Sequence, residues 1–400
     1  MILLADILSA TILFAVPLLL VALGGMFSER SGVINIALEG IMVVGALMSC
    51  LFLSAVNARY DTVNGLVNTA MRDRGEIFQR MVEYARGIGA DLPQELGKIS
   101  STTHLVNQGF LTRAQAVSYL LDNGLVTGFA DADMRMFRLI NDYPQLMMLA
   151  AVMVAGISGM VYSLLLAFAS IHLKADQTIG GTALNMLAPA FAVVLTWAIQ
   201  GQGNTTILIP NWIRITGETD SFFGRLIFKS CYLTTPIALC LLAVAAVVLY
   251  KTRLGLRLRA CGEHPQAAAS VGVNVYKMRY TGVLFSGFLG GVGGLAFTVA
   301  AGSGFQSSVA GYGFLALAVM IFGNWKPLNI FFASLFFALF KVIGSYAGTI
   351  SFLPKFENIA SSDYIYLMVP YIVTMIVLVL TGKKSRAPKA EGIPYDKGQR

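Results

Sequence analysis

The segment Glu29-Arg30-Ser31-Gly32-Val33-Ile34-Asn35-Ile36-Ala37-Leu38-Glu39-Gly40 sets two carboxylates, a guanidinium, a hydroxyl and an amide between two strongly apolar runs, residues 4–23 and 41–56. At the edge of a bilayer such groups are costly, and they persist only when buried in protein or lining a wet path. The segment therefore marks a place where something polar passes or docks. Asn35 and Glu39 within it, and Asn185 and Lys341 farther on, stand out among the residues inside membrane-grade sequence. Lys341 lies near one end of its run, where its stem lets the ammonium reach the interface, so an anchoring role suffices. Glu39 has no partner legible in the sequence; pairing with Arg30 and capping of the broken helix are both open. So little intramembrane charge argues against a proton or ion relay and fits a path for a neutral, hydroxylated solute.

A second candidate is Gly262-Glu263-His264-Pro265-Gln266-Ala267-Ala268-Ala269-Ser270-Val271-Gly272. Pro265 suits the first turn of a helix, Glu263 favours its positive end, and Gly272 suits the residue after its close. The product is a two-turn helix with a nearly smooth alanine surface, flanked by basic residues. Such a knob can seat in a groove of another protein and transmit a push; an ordinary capped connector accounts for the same residues equally well. Gly287, Gly290, Gly291, Gly293 and Gly294 form two small-xxx-small pairs, 287/291 and 290/294. Helices lacking side chains there approach closely, so packing within the subunit is the first reading and a gating hinge or subunit interface the second.

Catalytic arrangements are missing. His104, His172 and His264 are scattered, with no HExxH pair, and no GxSxG elbow occurs. Gly291-Val292-Gly293-Gly294-Leu295-Ala296 fits a dinucleotide fingerprint by letter but lies in an apolar helix rather than after a strand. Gly97-Lys98 and Gly382-Lys383 lack the Ser/Thr and upstream glycine of a phosphate loop. The chain is expected to be no enzyme, to hydrolyse no ATP itself, and to need neither cofactor nor metal. Cys50, Cys231, Cys240 and Cys261 show no CxxC spacing and suit packing.

These residues must be positioned by membrane helices. The chain has 400 residues, 56% hydrophobic and 12% charged, with a mean hydropathy of +0.69; soluble chains carry about a quarter charged residues. Runs of roughly 20 apolar residues span a bilayer, and the candidates are 4–23, 34–56, 145–170, 178–200, 232–250, 280–301, 309–323, 327–345 and 363–381. The expectation is an all-α polytopic membrane protein with about nine transmembrane helices. The first run lacks a basic n-region and a cleavage motif, so it reads as a retained helix. The net charge of +8 gathers in the loop 251–279 and the tail 382–400, which the positive-inside rule places in the cytoplasm without invoking nucleic acid. Counting crossings back puts 57–144 and the N-terminus outside.

Four parts follow: residues 1–56 with the broken segment, a helical extramembrane insertion 57–144, a transmembrane core 145–381 that includes the loop 251–279, and a basic tail 382–400. The insertion carries nine Lys/Arg and ten Asp/Glu. Apolar residues from Val63 to Ala85 recur at helical spacing, so 62–86 reads as one amphipathic helix. Thr112 and Gln115 form a capping box for a helix ending near Leu121, and Asp131 reads as the cap of another. The tail reads as disordered.

The same residues resemble the permease subunits of ABC importers, in the branch associated with nucleosides. The resemblance rests on Glu29–Gly40, Ala175-Asp176-Gln177-Thr178-Ile179-Gly180-Gly181, Gly255-Leu256-Arg257-Leu258-Arg259 running into Gly262-Glu263-His264-Pro265, Gly272 to Tyr280, Ile321-Phe322-Gly323-Asn324-Trp325-Lys326-Pro327, and Gly392-Ile393-Pro394-Tyr395. It covers about 1–56 and 145–400; the family has a short loop where this chain carries 57–144. It implies a multi-pass protein of the bacterial cytoplasmic membrane, surrounded by lipid and working with a homologous second permease, an ABC ATPase subunit and an extracytoplasmic solute-binding lipoprotein. It also implies that Gly262, Glu263, His264, Pro265, Ala267, Ala268 and Gly272 form a coupling helix docked on the ATPase. Asn35, Glu39, Asp176, Gln177 and Asn185 would lie along or beside the translocation route. The expected function is import of nucleosides, purines preferred; riboflavin or a sugar, or an autonomous channel or ion-coupled carrier, are the alternatives.

Overall fold

The computed structural model describes residues 2–90, 92, 101–201, 206–215, 232–346, 368–369, 372–373, 375–376, 379 and 386–396. The described residues are helical apart from turns and an isolated bridge between Ile207 and Phe305. Helices α1 (Ile2–Arg30), α2 (Leu38–Arg72), α3 (Glu76–Gly87), α4 (Thr102–Asn107), α5 (Arg113–Asp122) and α6 (Asp131–Asp142) come first. They are followed by α7 (Pro144–Ala167), α8 (Gln177–Gln200), α9 (Thr234–Lys251), α10 (Arg253–Glu263), α11 (Pro265–Ser270), α12 (Val275–Ala301), α13 (Tyr312–Phe322) and α14 (Pro327–Ser345).

Seven of these, α1, α2, α7, α8, α9, α12 and α14, are long and apolar enough to cross a membrane. Seven among the described residues leave two of the nine expected runs, 309–323 and 363–381, without a described span. The run 309–323 yields α13, an 11-residue helix, which at 1.5 Å per residue is too short to span. The run 363–381 lies largely outside the described residues.

Contacts divide the chain into two compact units, Met1–Ser54 with Gln145–Arg400, and Ala55–Pro144. In the first, α1 and α12 are the most buried spans and α8 the most exposed. α1 packs on α12, α13, α14 and α9. The glycines of α12 allow its backbone to meet its neighbours directly. A Cβ on Gly291 would collide with Ala155 O, one on Gly294 with Met42 O, one on Gly287 with Ser163 Oγ, and one on Gly290 would sit 2.9 Å from Ile41 Cγ2. Close backbone contact substitutes for the hydrophobic drive that lipid does not supply.

The second unit buries Val63, Val67, Phe78, Met81, Leu105, Leu120 and Phe137, with Tyr60 stacked on Phe137 at 5.0 Å and Tyr84 on Tyr119 at 4.3 Å. The capping box forms: Thr112 Oγ1 accepts from Gln115 N–H, and Gln115 Oε1 accepts from Thr112 N–H. Two expectations are corrected here. Residues 62–86 are not one helix, because Asp73, Arg74 and Gly75 interrupt the pattern and separate α2 from α3. Asp131 is the first residue of α6, with Ala130 at the cap; its carboxylate still favours the positive helix end.

Candidate translocation and coupling sites

Helix α1 ends at Arg30 because Gly32, at φ +92°, turns the chain out of the helix. The chain then runs unwound to Leu38. Bare backbone groups at that depth need partners, and side chains supply them. Ile34 N–H donates to Gln177 Oε1 at 2.7 Å. Asn185 Nδ2 donates to Ile36 O, and its Oδ1 accepts from Gly40 N–H, both at 2.8 Å. Asn35 Nδ2 donates to Ser286 Oγ at 2.7 Å. Closeness of α8 is enabled by Gly181, where a Cβ would sit 3.1 Å from Ile36 Cβ.

Four of the five sequence-designated path residues thus gather on the break. Asn35, Gln177 and Asn185 hold it directly. Glu39 reaches across: its Oε1 accepts from Gly311 N–H at 2.9 Å and its Oε2 from Gly313 N–H at 2.6 Å. It caps α13 rather than pairing with Arg30, whose Nη2 donates to Trp325 O at 3.2 Å. The fifth, Asp176, stands apart on the surface as the cap of α8. There the N–H groups of Ile179 and Thr178 hold its carboxyl below the usual carboxylate range. Within the break, Asn35 Oδ1 and Gln177 Nε2 are buried and meet no partner among the described residues. They leave one acceptor and one donor beside the unwound chain.

Sequence reasoning missed the partner of Glu29. Its Oε2 accepts from Trp325 Nε1 at 2.6 Å. Asn324 and Trp325 both carry positive φ, 51° and 52°, a conformation that a bulky side chain keeps only when its surroundings impose it. The end of α1 therefore clamps the turn between α13 and α14. Arg279, grouped by sequence with the basic loop, is 1% exposed and lies against Gly32.

In the loop, α10 ends at Glu263 and His264 serves as the cap of the six-residue α11, with Pro265 at its first position. Gly272, at φ +82°, follows its end. Pro265 and Ala268 are buried, whereas His264, Gln266, Ala267, Ser270 and Gly272 are exposed, and Glu263 is half-buried. Gly262 is buried against Arg30 O, where a Cβ would collide. The loop is thus seated on the end of α1 through Gly262 and turns His264, Gln266, Ala267 and Ser270 outward.

The tail residues 386–396 are ordered against this same end, contrary to the expectation of disorder. Their backbone and apolar side chains find partners: Ala390 N–H donates to Gly262 O at 2.8 Å, and Ala390 and Tyr395 are buried. Among the described cysteines, Cys50 and Cys261 are buried and Cys240 is exposed.

Residues 7–378 match the family described as the branched-chain amino acid transport system permease component. The chain belongs to that family. It is 34% identical over 404 residues to the guanosine ABC transporter permease protein NupQ of Bacillus subtilis, covering 99% of this chain and 98% of that one. It is 33% identical over 391 residues to the nucleoside ABC transporter permease protein NupC of Lactococcus lactis, covering 97% and 96%. A second protein of that organism, the nucleoside ABC transporter permease protein NupB, is 23% identical over 276 residues, covering 65% and 72%. No solved structure matches at comparable stringency. The protein is a multi-pass transport permease, one component of a larger system, and not an enzyme.

Proposed function

We propose that this permease conducts nucleosides inward across the bacterial cytoplasmic membrane, driven by an ABC ATPase in a separate subunit. The observation that carries the reading is near full-length similarity, at 34% and 33% identity, to two permeases named for guanosine and nucleosides. The arrangement of the break supports it. A neutral solute rich in hydroxyls and ring nitrogens needs scattered donors and acceptors rather than charge, and Asn35 Oδ1 and Gln177 Nε2 supply one of each. The exposed face of α11, formed by Gln266, Ala267 and Ser270, suits docking on the ATPase, whose binding and release of ATP would bias the permease between outward- and inward-open states through their different affinities. Two matching permeases in one organism favour a homologous second permease as partner. An extracytoplasmic solute-binding lipoprotein would deliver the solute and set most of the specificity. Titrating that lipoprotein with guanosine, adenosine, riboflavin and simple sugars tests the substrate class: saturable binding of the nucleosides is expected, and binding of riboflavin or sugars alone would replace it.

A further inference from the structure

The tail segment 386–396 connects, in one short run, the functional parts of this end of the core. Ala390 N–H donates to Gly262 O at 2.8 Å, where α10 gives way to α11. Gly392, at φ +75°, bears on the break, and a Cβ there would sit 2.8 Å from Ile34 Cδ1. Tyr395 packs edge-on to Tyr276 at 5.4 Å and shares an apolar cluster with Cys261, Ala268 and Val275. The ends are tied down by Arg386 N–H to Asn324 Oδ1 at 3.1 Å and by Asp396 to Lys174 Nζ at 3.0 Å. That last pair is exposed and contributes little; the buried tyrosine and the backbone bond hold the segment.

We propose that residues 386–396 are a strap that transmits movement of α11 to the broken segment 31–37, with Tyr395 as the positioning residue that seats α11. The inference rests on the transport reading above. Helix α11 has six residues, and its inward side chains Pro265 and Ala268 are small, so it has little grip of its own. Tyr395 is the largest buried side chain of the cluster that holds Ala268 and Cys261. Displacement of α11 moves Gly262 and, through its carbonyl, Ala390. Two residues on, Gly392 presses Ile34, whose N–H is the one held by Gln177. Packed elements linked in this way pass between discrete arrangements rather than deforming smoothly.

Cys261 is a native reporter, because the cluster that buries it includes Tyr395. The experiment uses inside-out vesicles holding the whole importer complex, with Cys231 and Cys240 replaced by serine, and reads maleimide labelling of Cys261, ATP hydrolysis and solute moved per ATP. Tyr395→Ala is expected to label about tenfold faster and to move about tenfold less solute per ATP while hydrolysis stays within about twofold. Tyr395→Phe is expected to restore both values. Ala390→Pro, which removes the donor to Gly262 O without touching Tyr395, is expected to uncouple in the same way; all values are ratios per complex, so a lower yield does not mask them. Unchanged labelling in Tyr395→Ala, or uptake and hydrolysis falling in proportion in both variants, would overturn the strap. A wild-type complex that moves no solute on ATP while Cys261 stays shielded is the separate signature of a failed transport reading, and would remove the transmitting role with it.

Discussion

Glu39 Oε2 accepts the Gly313 N–H at 2.6 Å, and Oε1 accepts the Gly311 N–H at 2.9 Å, so a carboxylate at the start of α2 caps a helix 272 residues farther along. Glu39→Leu would leave two N–H groups unmet, that of half-buried Gly311 and that of buried Gly313, at roughly 1–3 kcal/mol each. Glu39→Gln keeps one acceptor and should fall between. The order wild type, Gln, Leu in thermal unfolding of the detergent-solubilised protein checks this; equal stabilities would deny the cap any weight.

The glycines of α12 and the glycine after α11 are needed for different reasons. Gly291 faces Ala155 O and the backbone of Gly45, so Gly291→Val overpacks a helix contact and should cost about 1–3 kcal/mol or more. Gly272 has φ +82° and nothing within 4 Å of an added Cβ; Gly272→Ala should cost only about 1–2 kcal/mol of backbone strain. The yield of monodisperse protein, measured side by side, should fall further for the first than for the second.

Docking on the exposed face of α11 predicts a binding defect without a folding defect. Ala267 is exposed while its neighbour Ala268 is buried. Ala267→Arg should weaken co-purification of the ATPase by about tenfold, the effect of losing roughly 1.4 kcal/mol at an interface, with the unfolding temperature unchanged. Unaltered co-purification would return this loop to the status of a connector.

The tail predicts a pH dependence. Burial raises the Glu391 carboxyl above the ordinary glutamate value, against opposing pulls from Glu29 and the Arg30 guanidinium. A carboxyl raised on folding takes up its proton more readily in the folded state. Its contribution is therefore present below the unfolded-state glutamate pKa and lost as the pH climbs through the raised value. As the pH rises from below the ordinary glutamate value, wild type should lose unfolding temperature more steeply than Glu391→Gln, which cannot ionise. Parallel curves would place the pH dependence elsewhere.

The sequence makes the spans legible because runs of apolar residues follow directly from bilayer thickness, and the break is legible because charged and amide groups interrupt them. The Thr112–Gln115 box and the Pro265/Gly272 pair were readable because their partners lie within a few residues. Contacts between distant segments were not. Nothing local links Glu39 to Gly313, Glu29 to Trp325 or Ala390 to Gly262; each joins elements brought together by packing. The tail misled for a related reason, since its basic composition describes a solvated chain while its few apolar residues, Ala390 and Tyr395, carry the contacts. Asp73-Arg74-Gly75 shows the complementary error, a helix interruption that apolar spacing alone bridged.

The central claim is ATP-driven nucleoside import, and uptake of labelled guanosine and adenosine by cells with and without this gene, repeated after ATP depletion, tests it most directly. Saturable uptake lost on deletion and on depletion is the predicted result. Uptake that survives depletion, or that is indifferent to the gene, would contradict it.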